Sequence, residues 1–228
     1  MLTGLTLTEA RKGLAARTFS ARELAQAHLD AIDRLNPALN AYITVLPQAD
    51  VQAAADAADA RYAKGEAGLM DGLPVGVKDL FCTKGVRTTA ASKMLAEFVP
   101  PYESAVTARL LAEGAIFLGK TNLDEFAMGS ANMSSAFGPA TNPWQRAGTP
   151  DVALVPGWSP GGSSAAVAAA LALAATGTAT GGSIRQPAAS CGLACPKPPH
   201  RRSSRWGRLS HARSLDQAAP LPPCPARA

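Results

Sequence analysis

The stretch PGWSPGGSSAAVAAALALAATGTATGGSIRQPA, residues 156–188, places two serine–glycine clusters on either side of an alanine-rich apolar run. Residues 164–175 of that run favour a helix over a flexible linker. Twelve helical residues rise about 18 Å, and the seven residues 176–182 can return about 23 Å when extended. We therefore predict that the two clusters can meet, with Ser183 beside Ser159.

The first cluster partly matches two known loop motifs, and each match lacks a required residue. A phosphate-binding loop needs a lysine where Ser163 stands. The segment GWSPG (157–161) has the G-x-S-x-G spacing of a nucleophile elbow, but Pro160 has no N–H for the oxyanion. No histidine follows Asp216 to act as the base of that elbow. The remaining interpretations are serine chemistry built from both clusters and a linker without activity.

A lysine is the best candidate for the base of such a site. Burial lowers the pKa of a lysine and thereby lets the neutral amine accept a proton near neutral pH. Lys78 ends the apolar run LPVGVK, residues 73–78. The competing interpretation is a solvated lysine at the end of a strand, and only the two serines argue against it.

Composition indicates a globular chain of 228 residues, 47% hydrophobic and 17% charged. The longest apolar run, residues 165–175, is too short for the ~20 residues that span a bilayer. The first residues lack the layout of a signal peptide. The four cysteines show neither C-x-x-C spacing nor metal-ligand spacing. We therefore expect a cytoplasmic protein with free thiols, no metal and no membrane contact.

Three segments differ in pattern along the chain. Residues 1–66 show helical patterns and are predicted to be a helical segment. In residues 67–195, β-prone runs at 72–81 and 115–121 alternate with a helical pattern at 103–113. Strands that alternate with helices predict an α/β fold with a parallel or mixed sheet.

Local signals place two of the helices in the first segment. A capping box at residues 20–23 begins one helix, which we expect to end before the pair Asn36-Pro37. His28 lies on its apolar stripe and is predicted to pack in the core. The third helix of the segment is alanine-rich, spans about residues 48–64 and ends at Gly65.

The last segment, residues 196–228, carries the basic charge of the chain. It holds seven basic residues and one acid, a balance of +6, whereas the preceding 195 residues carry 15 basic and 16 acidic residues, or −1. Its seven prolines and lack of periodicity predict disorder. A basic nucleic-acid-binding stripe on the folded part is therefore disfavoured.

Three motifs carry a resemblance to a known family. GLPVGVKDLF (72–81), GGSSAAVAA (161–169) and GTATGGSIRQPA (177–188) resemble the amidase signature enzymes. The resemblance implies an α/β amidase-signature fold, with a mixed central sheet flanked by helices. It also implies a catalytic triad of a serine, a second serine that follows a cis peptide bond, and a lysine.

The resemblance assigns roles residue by residue. Ser183 becomes the nucleophile, Ser159 the bridging serine and Lys78 the base. The remaining assigned positions would hold the oxyanion or the substrate, and they are Thr180, Gly181, Gly182, Met128 and Ser130. No metal is implied.

Further stretches narrow the resemblance to one branch of the family. KDLFCTKGVRTTAAS (78–92), GKTNLDEFAMGSAN (119–132) and FGPATNPW (137–144) resemble the glutaminase A subunits of tRNA-dependent amidotransferases. This implies that the chain hydrolyses glutamine and supplies ammonia without a cofactor of its own. The implied partners are a B subunit, which uses ATP and Mg²⁺ and binds most of the tRNA, and a small C subunit.

Several positions depart from the family pattern. Trp158 and Pro160 stand where small residues are usual, Ala179 replaces an aspartate, and Met133 replaces a glutamate. In the last segment, basic side chains fall where a buried strand is expected, at Arg208, His211 and Arg213. These departures and the family's greater length predict a C-terminally truncated or frameshifted copy with an incomplete fold. An inert fragment and a stand-alone amidase of broad specificity remain the alternatives.

Overall fold

The computed structural model describes residues 1–209, 212 and 214–223. Five strands form one sheet: β1 (Tyr42–Val45), β2 (Pro74–Lys78), β3 (Ile116–Thr121), β4 (Ala174–Ala179) and β5 (Gln217–Leu221). The helices are α1 (Leu7–Ala15), α2 (Ala21–Leu39), α3 (Gln48–Lys64), α4 (Ala105–Ala112), α5 (Gly161–Ala168) and α6 (Arg185–Cys191). Single 3₁₀ turns cover Leu2–Gly4, Lys93–Leu95 and Glu125–Ala127.

The sheet is mixed, as the alternating patterns predicted. Its strand order is β1-β3-β2-β4-β5, and β2 runs parallel to both β3 and β4. The outer strands β1 and β5 are antiparallel to their neighbours. Every residue of β2, β3 and β4 is buried. Strands covered on both faces need not alternate between apolar and charged residues, which explains why the runs at 73–77 and 115–119 contain no charged residue.

Successive residues of β3 point into two separate apolar clusters. Ile116 and Leu118 contact the cluster that contains the buried side chains of α2 and α3. Phe117 contacts the cluster on the opposite face, with Val77 and Phe81. This alternation is the two-residue period of a strand, and it shows that helices or loops cover both faces of the sheet.

The N-terminal helices follow their capping signals closely. The capping box at Ser20 is present, and α3 ends at Gly65 in the left-handed conformation, as predicted. The expectation that α2 ends before Pro37 is wrong, because α2 continues to Leu39. Asn36 explains the extra turn, since its side-chain amide exchanges hydrogen bonds with the backbone of Tyr42 and fastens the end of the helix to β1.

The first 66 residues are not purely helical, which corrects the predicted helical segment. Tyr42–Val45 form the edge strand β1, paired antiparallel with β3 through Tyr42↔Thr121 and Val45↔Gly119. A strand of four residues gives too little pattern to detect. The segment is part of the sheet and therefore part of the same core.

The apolar run in the opening stretch is a short helix followed by a strand, and the predicted helix over residues 164–175 is wrong in extent. Helix α5 ends at Ala168, and β4 begins at Ala174. Apolar residues without periodicity fit a buried helix and a buried strand equally well. The predicted topology, with the chain leaving along a helix and returning extended, is nevertheless present.

The C-terminal segment is partly ordered, which corrects the predicted disorder. Gln217–Leu221 form β5 and pair with β4 along its length, from Ala179↔Gln217 to Ala175↔Leu221. Arg208 is buried, and its Nε and Nη1 meet no acceptor among the described residues. His211 and Arg213, predicted to fall in the same region, lie outside the described residues.

Two further sequence expectations concern the core and the thiols. His28 is fully buried, and burial lowers its pKa to about 4, so it packs as a neutral side chain as predicted. Cys82 and Cys195 are free thiols, while Cys224 lies outside the described residues. Within the described part of the chain, no helix combines the length and apolar character needed to cross a bilayer.

Gly114 supplies a test of the packing beneath α4. Gly114 has φ +86°, and a Cβ at this position would lie 2.3 Å from Oδ1 of the buried Asp71. The Asp71 carboxylate forms a bidentate ion pair with Arg61. Gly114→Ala should therefore lower the free energy of unfolding by about 3 kcal/mol, because the backbone is strained and the buried carboxylate of Asp71, which is bonded to the partly exposed Arg61, must move. Urea denaturation measures the change.

Gly65 is the matched control for that variant. It also has a positive φ, +73°, but nothing lies within 4 Å of its Cβ position. Gly65→Ala should cost only about 1 kcal/mol of strain. Equal losses at the two glycines would contradict the packing described here.

Arg208 supplies a test of the C-terminal segment. Because two nitrogens of its buried guanidinium meet no acceptor in the part of the chain that the structure describes, Arg208→Leu should raise the free energy of unfolding by about 1 to 3 kcal/mol. The exposed Arg205 is the control, and Arg205→Leu should change it by less than about 0.5 kcal/mol. A destabilised Arg208→Leu protein would show that the guanidinium is well compensated.

Candidate active site

A buried lysine and a buried serine meet at the end of the central strand. Lys78 is the last residue of β2, and both it and Ser159 are 0% exposed. The Lys78 Nζ donates to Ser159 Oγ at 2.8 Å and to Thr178 Oγ1 at 2.7 Å. Two residues that lie 81 positions apart in the sequence are therefore joined by a buried hydrogen bond.

The environment of Lys78 favours the neutral amine. Burial holds the pKa of Lys78 well below its ordinary value, since the charged form loses its hydration. Asp216 and Asp124 raise that pKa, while Arg208 lowers it further. Among the described residues, the side-chain partners of Nζ at hydrogen-bond distance are hydroxyl groups, so none of the described carboxylates is bonded to Nζ.

A second buried lysine shows the contrast. Lys120, on β3, lies 3.3 Å from Oδ1 of Asp79 and also donates to the Phe81 carbonyl and the Thr88 hydroxyl. Burial lowers its pKa as well, but the carboxylate of Asp79 opposes the shift. Lys120 is thus held as one partner of a structural ion pair, whereas Lys78 faces the serine.

Threonines at every second position of the strand β4 contribute contacts that sequence reasoning missed. The Thr176 hydroxyl accepts from the Lys78 backbone N–H at 2.8 Å, and the Thr178 hydroxyl accepts from Lys78 Nζ. Thr180 follows at the same spacing and contacts Asp216. The signal was available in the letters TGTAT (176–180), because residues at i, i+2 and i+4 of a strand share a face.

The loop that carries Ser159 is fixed by the start of α5. The Gly162 N–H donates to the side-chain oxygen of Asn132 at 2.9 Å and to the Asn122 carbonyl at 3.1 Å. A Cβ at Gly162 would lie 2.5 Å from the Asn122 nitrogen, so only glycine permits this approach. The glycines of the first cluster therefore allow close packing and do not make the loop flexible.

Ser163 ties the same helix to the sheet. Its hydroxyl donates to the Thr176 carbonyl at 2.9 Å and lies 2.6 Å from the Thr121 hydroxyl. These contacts reach β4 and β3 respectively. They hold the helix start, and with it Ser159, against the ends of the strands that surround Lys78.

Ser183 lies in the turn between β4 and α6 and is 7% exposed. It follows Thr178, the second partner of Lys78, by five residues. Within the described part of the chain, no hydrogen bond joins Ser183 to Lys78 or Ser159. The structure thus brings two of the three predicted triad members into contact, with the third in the adjacent turn.

The peptide bond before Ser159 is trans, which corrects the cis bond implied by the resemblance, because the described residues contain no cis peptide. A non-proline peptide prefers trans by about 3 kcal/mol. Trp158 turns its ring onto the second glycine cluster, where ring carbons would lie 3.1 and 3.2 Å from a Cβ at Gly182. The large side chain fits because Gly181 and Gly182 leave space for it.

Met128 and Ser130 lie in an exposed loop, and among the described residues neither hydrogen-bonds to Lys78 or Ser159. Met128 is 52% exposed. Asp124 anchors this loop, with its carboxylate accepting from the backbone N–H groups of three residues, Asn132, Met133 and Ser134. The loop is therefore held firmly at its base, and the two predicted substrate positions are open to solvent.

Ala179 occupies an apolar position although an aspartate was expected there. It is 1% exposed and contacts the cluster that contains Ile184 and Leu221. The nearby carboxylate comes instead from Asp216, whose Oδ1 accepts a short hydrogen bond from the Thr180 hydroxyl. Within the described ranges, no group of three or more His, Cys, Asp or Glu side chains could hold a metal.

Comparison with known proteins places these features in a family. The family model described as amidase matches residues 23–224. The chain is 64% identical over 221 residues to the A subunit of glutamyl-tRNA(Gln) amidotransferase from Granulibacter bethesdensis and 62% identical over 216 residues to that from Gluconobacter oxydans. These matches cover 96% and 95% of this chain but only 44% and 43% of the relatives. The chain thus spans less than half the length of the curated relatives it matches.

Solved structures agree in fold. The A subunit of glutamyl-tRNA(Gln) amidotransferase from Thermotoga maritima matches with a TM-score of 0.79 and 36% identity over 97% of this chain and 44% of that one. The peptide amidase of Stenotrophomonas maltophilia gives 0.85 and 33% over 96% and 45%. With its mixed sheet and the match across most of its length, the chain belongs to the amidase family.

Proposed function

We propose that this chain is the glutaminase part of a tRNA-dependent amidotransferase that converts Glu-tRNA(Gln) to Gln-tRNA(Gln). Its role would be to hydrolyse the side-chain amide of glutamine and supply ammonia. The names of its relatives, at 58–64% identity, support this substrate. The activity would place the protein in protein biosynthesis in the cytoplasm.

The contact between Lys78 and Ser159 is the observation that carries the proposal. A fully buried lysine with a lowered pKa, hydrogen-bonded to a fully buried serine, is suited to proton transfer. A structural lysine would be expected to have a carboxylate partner, as Lys120 has in Asp79.

In the proposed mechanism, the neutral Lys78 amine accepts a proton from Ser159, which takes one from Ser183. The Ser183 oxygen then attacks the side-chain carbonyl carbon of glutamine and forms a tetrahedral intermediate. Its oxyanion would be held by backbone N–H groups of the turn that contains Thr180, Gly181, Gly182 and Ser183. One such donor is typically worth about 10²–10³ in rate.

The intermediate then collapses to an acyl-enzyme ester. The amide C–N bond breaks, and the nitrogen takes the proton held by Lys78 and leaves as ammonia. Water, deprotonated through the same relay, releases glutamate and restores the Ser183 hydroxyl. All proton transfers use side chains of this chain, so the hydrolysis itself needs no cofactor.

The complete amidotransferase reaction would require partners. We propose a B subunit that uses ATP and Mg²⁺, accepts the ammonia and binds most of the tRNA, and a C subunit that holds the pair together. Support comes from the relatives, which are named as A subunits of such an enzyme. No nucleotide site is proposed in this chain.

An inert fragment is the second candidate. Two observations favour it: among the described residues no hydrogen bond connects Ser183 to the Lys78–Ser159 pair, and the peptide before Ser159 is trans. A stand-alone amidase is a third, favoured by the fold shared with a peptide amidase. Measuring ammonia release from glutamine and from other amides separates the three candidates. A glutaminase acts on glutamine, a broad amidase also acts on other amides, and an inert fragment acts on neither.

Ser183→Ala should reduce ammonia release from glutamine to background, because the nucleophile is lost. Coupled detection of glutamate measures the rate. Ser190→Ala, at an exposed position of α6, is the matched control and should keep the rate within about twofold. If Ser183→Ala retains the rate of the unsubstituted chain, the assigned nucleophile is wrong.

The pH dependence should report Lys78. Only the neutral amine accepts a proton, so kcat/KM should fall as the pH drops through the lowered pKa of Lys78, well below the pH at which an ordinary lysine titrates. Lys78→Met should abolish activity, whereas Lys84→Met, at an exposed lysine, should leave the profile unchanged. An acidic limb at the ordinary lysine pKa would contradict a buried base.

A further inference from the structure

We propose that Asp216, in the segment predicted from sequence to be disordered, is a positioning residue that orients the oxyanion turn (residues 180–183) through the Thr180 hydroxyl. The inference rests on the proposed function, since the turn matters only if it holds an oxyanion. Nothing in the assigned chemistry of Lys78, Ser159 and Ser183 uses this carboxylate.

Strand pairing brings Asp216 to the turn. The register of β4 and β5 pairs Ala179 with Gln217, the last residue of one strand with the first of the other. Asp216 and Thr180 are the next residues outward on the two strands. The Thr180 hydroxyl donates to Asp216 Oδ1 in a short hydrogen bond. The turn therefore begins at Thr180, whose side chain is hydrogen-bonded to the residue that precedes the neighbouring strand β5.

Asp216 is itself held in place. It is 6% exposed, and its Oδ2 accepts from the Ala212 N–H at 3.2 Å. Its backbone carbonyl accepts from Arg208 Nη2 at 3.1 Å. A buried carboxylate with partners on both sides can fix the geometry of Thr180, because few alternative positions would satisfy these hydrogen bonds.

The charge of Asp216 also acts on the proposed base. Among the groups around Lys78, Asp216 and Asp124 raise its pKa, while burial and Arg208 lower it. Loss of the Asp216 charge would therefore lower the pKa of Lys78 further. If Asp216 had only a packing role, its replacement would not shift the pKa of Lys78. The pH profile of activity therefore distinguishes a packing role from one that involves the charge of Asp216.

The experiment uses the full chain with Asp216→Ala, Asp216→Asn and Thr180→Val. Asp216→Ala should lower kcat for glutamine about 10- to 100-fold, with KM within about threefold, because the displaced turn loses transition-state stabilisation. In Asp216→Asn, the acidic limb of the pH profile of kcat/KM should move to lower pH, because the pKa of Lys78 falls when the Asp216 charge is lost. Thr180→Val removes the contact but keeps the carboxylate, so it should lower kcat without moving the limb.

A double-mutant cycle tests the route of the effect. If Asp216 acts through Thr180, the variant carrying both Asp216→Ala and Thr180→Val should lose about as much kcat as Asp216→Ala alone. Leu215→Ala, at the exposed neighbouring residue, should leave kcat and the limb unchanged. Additive losses of kcat would overturn the proposal, and an unmoved limb in Asp216→Asn would contradict the effect of the Asp216 charge on Lys78.

Amide hydrogen exchange separates this inference from the proposed function. Exchange across residues 180–183 should become severalfold faster in both Asp216→Ala and Thr180→Val and stay unchanged in Leu215→Ala. If the unsubstituted chain releases no ammonia, the proposed function fails, yet exchange still reports whether Asp216 orders the turn. Unchanged exchange in all variants would overturn the positioning role whatever the activity.

Discussion

The hydrogen bond from Lys78 to Ser159 imposes the main constraint on this structure. A lysine amine with no access to water must keep polar partners, and here hydroxyl groups supply them. To bring those hydroxyls to one point, β2 must lie beside β4, and the start of α5 must pack against the ends of both. The close approach of Gly162 to Asn122 and the bonds of Ser163 to Thr176 and Thr121 hold the start of α5 against β4 and β3, on either side of β2.

The same constraint explains why two buried lysines have different roles. Lys120 has a carboxylate within reach and is held in an ion pair with Asp79, which favours the charged form. Lys78 has hydroxyl partners, with the carboxylates of Asp216 and Asp124 acting only through their charge. The two lysines thus differ in their partners and not in their burial, and only Lys78 has the environment that the proposed proton transfer requires.

Long-range order in the C-terminal segment links the sheet to the candidate site. Strand β5 completes one edge of the sheet by pairing with β4. That pairing places a carboxylate beside the turn after β4, although the segment is rich in proline and basic residues. Arg208 lies in the same segment, and two of its buried guanidinium nitrogens find no acceptor among the described residues, so this edge of the sheet also carries an unfavourable burial.

The sequence by itself determined the fold class, the capped helices around Ser20 and Gly65 and the buried central strands β2 and β3, and it proposed the candidate triad residues. These depend on local signals or on motifs that can be read from the letters. The tertiary structure decided that the helix after Ser159 is short, that residues 42–45 and 217–221 are strands, and that Thr178 and Asp216 contact the site. Apolar runs without periodicity fit either type of secondary structure. Strand pairing depends on neighbours distant in sequence, so local pattern cannot reveal it.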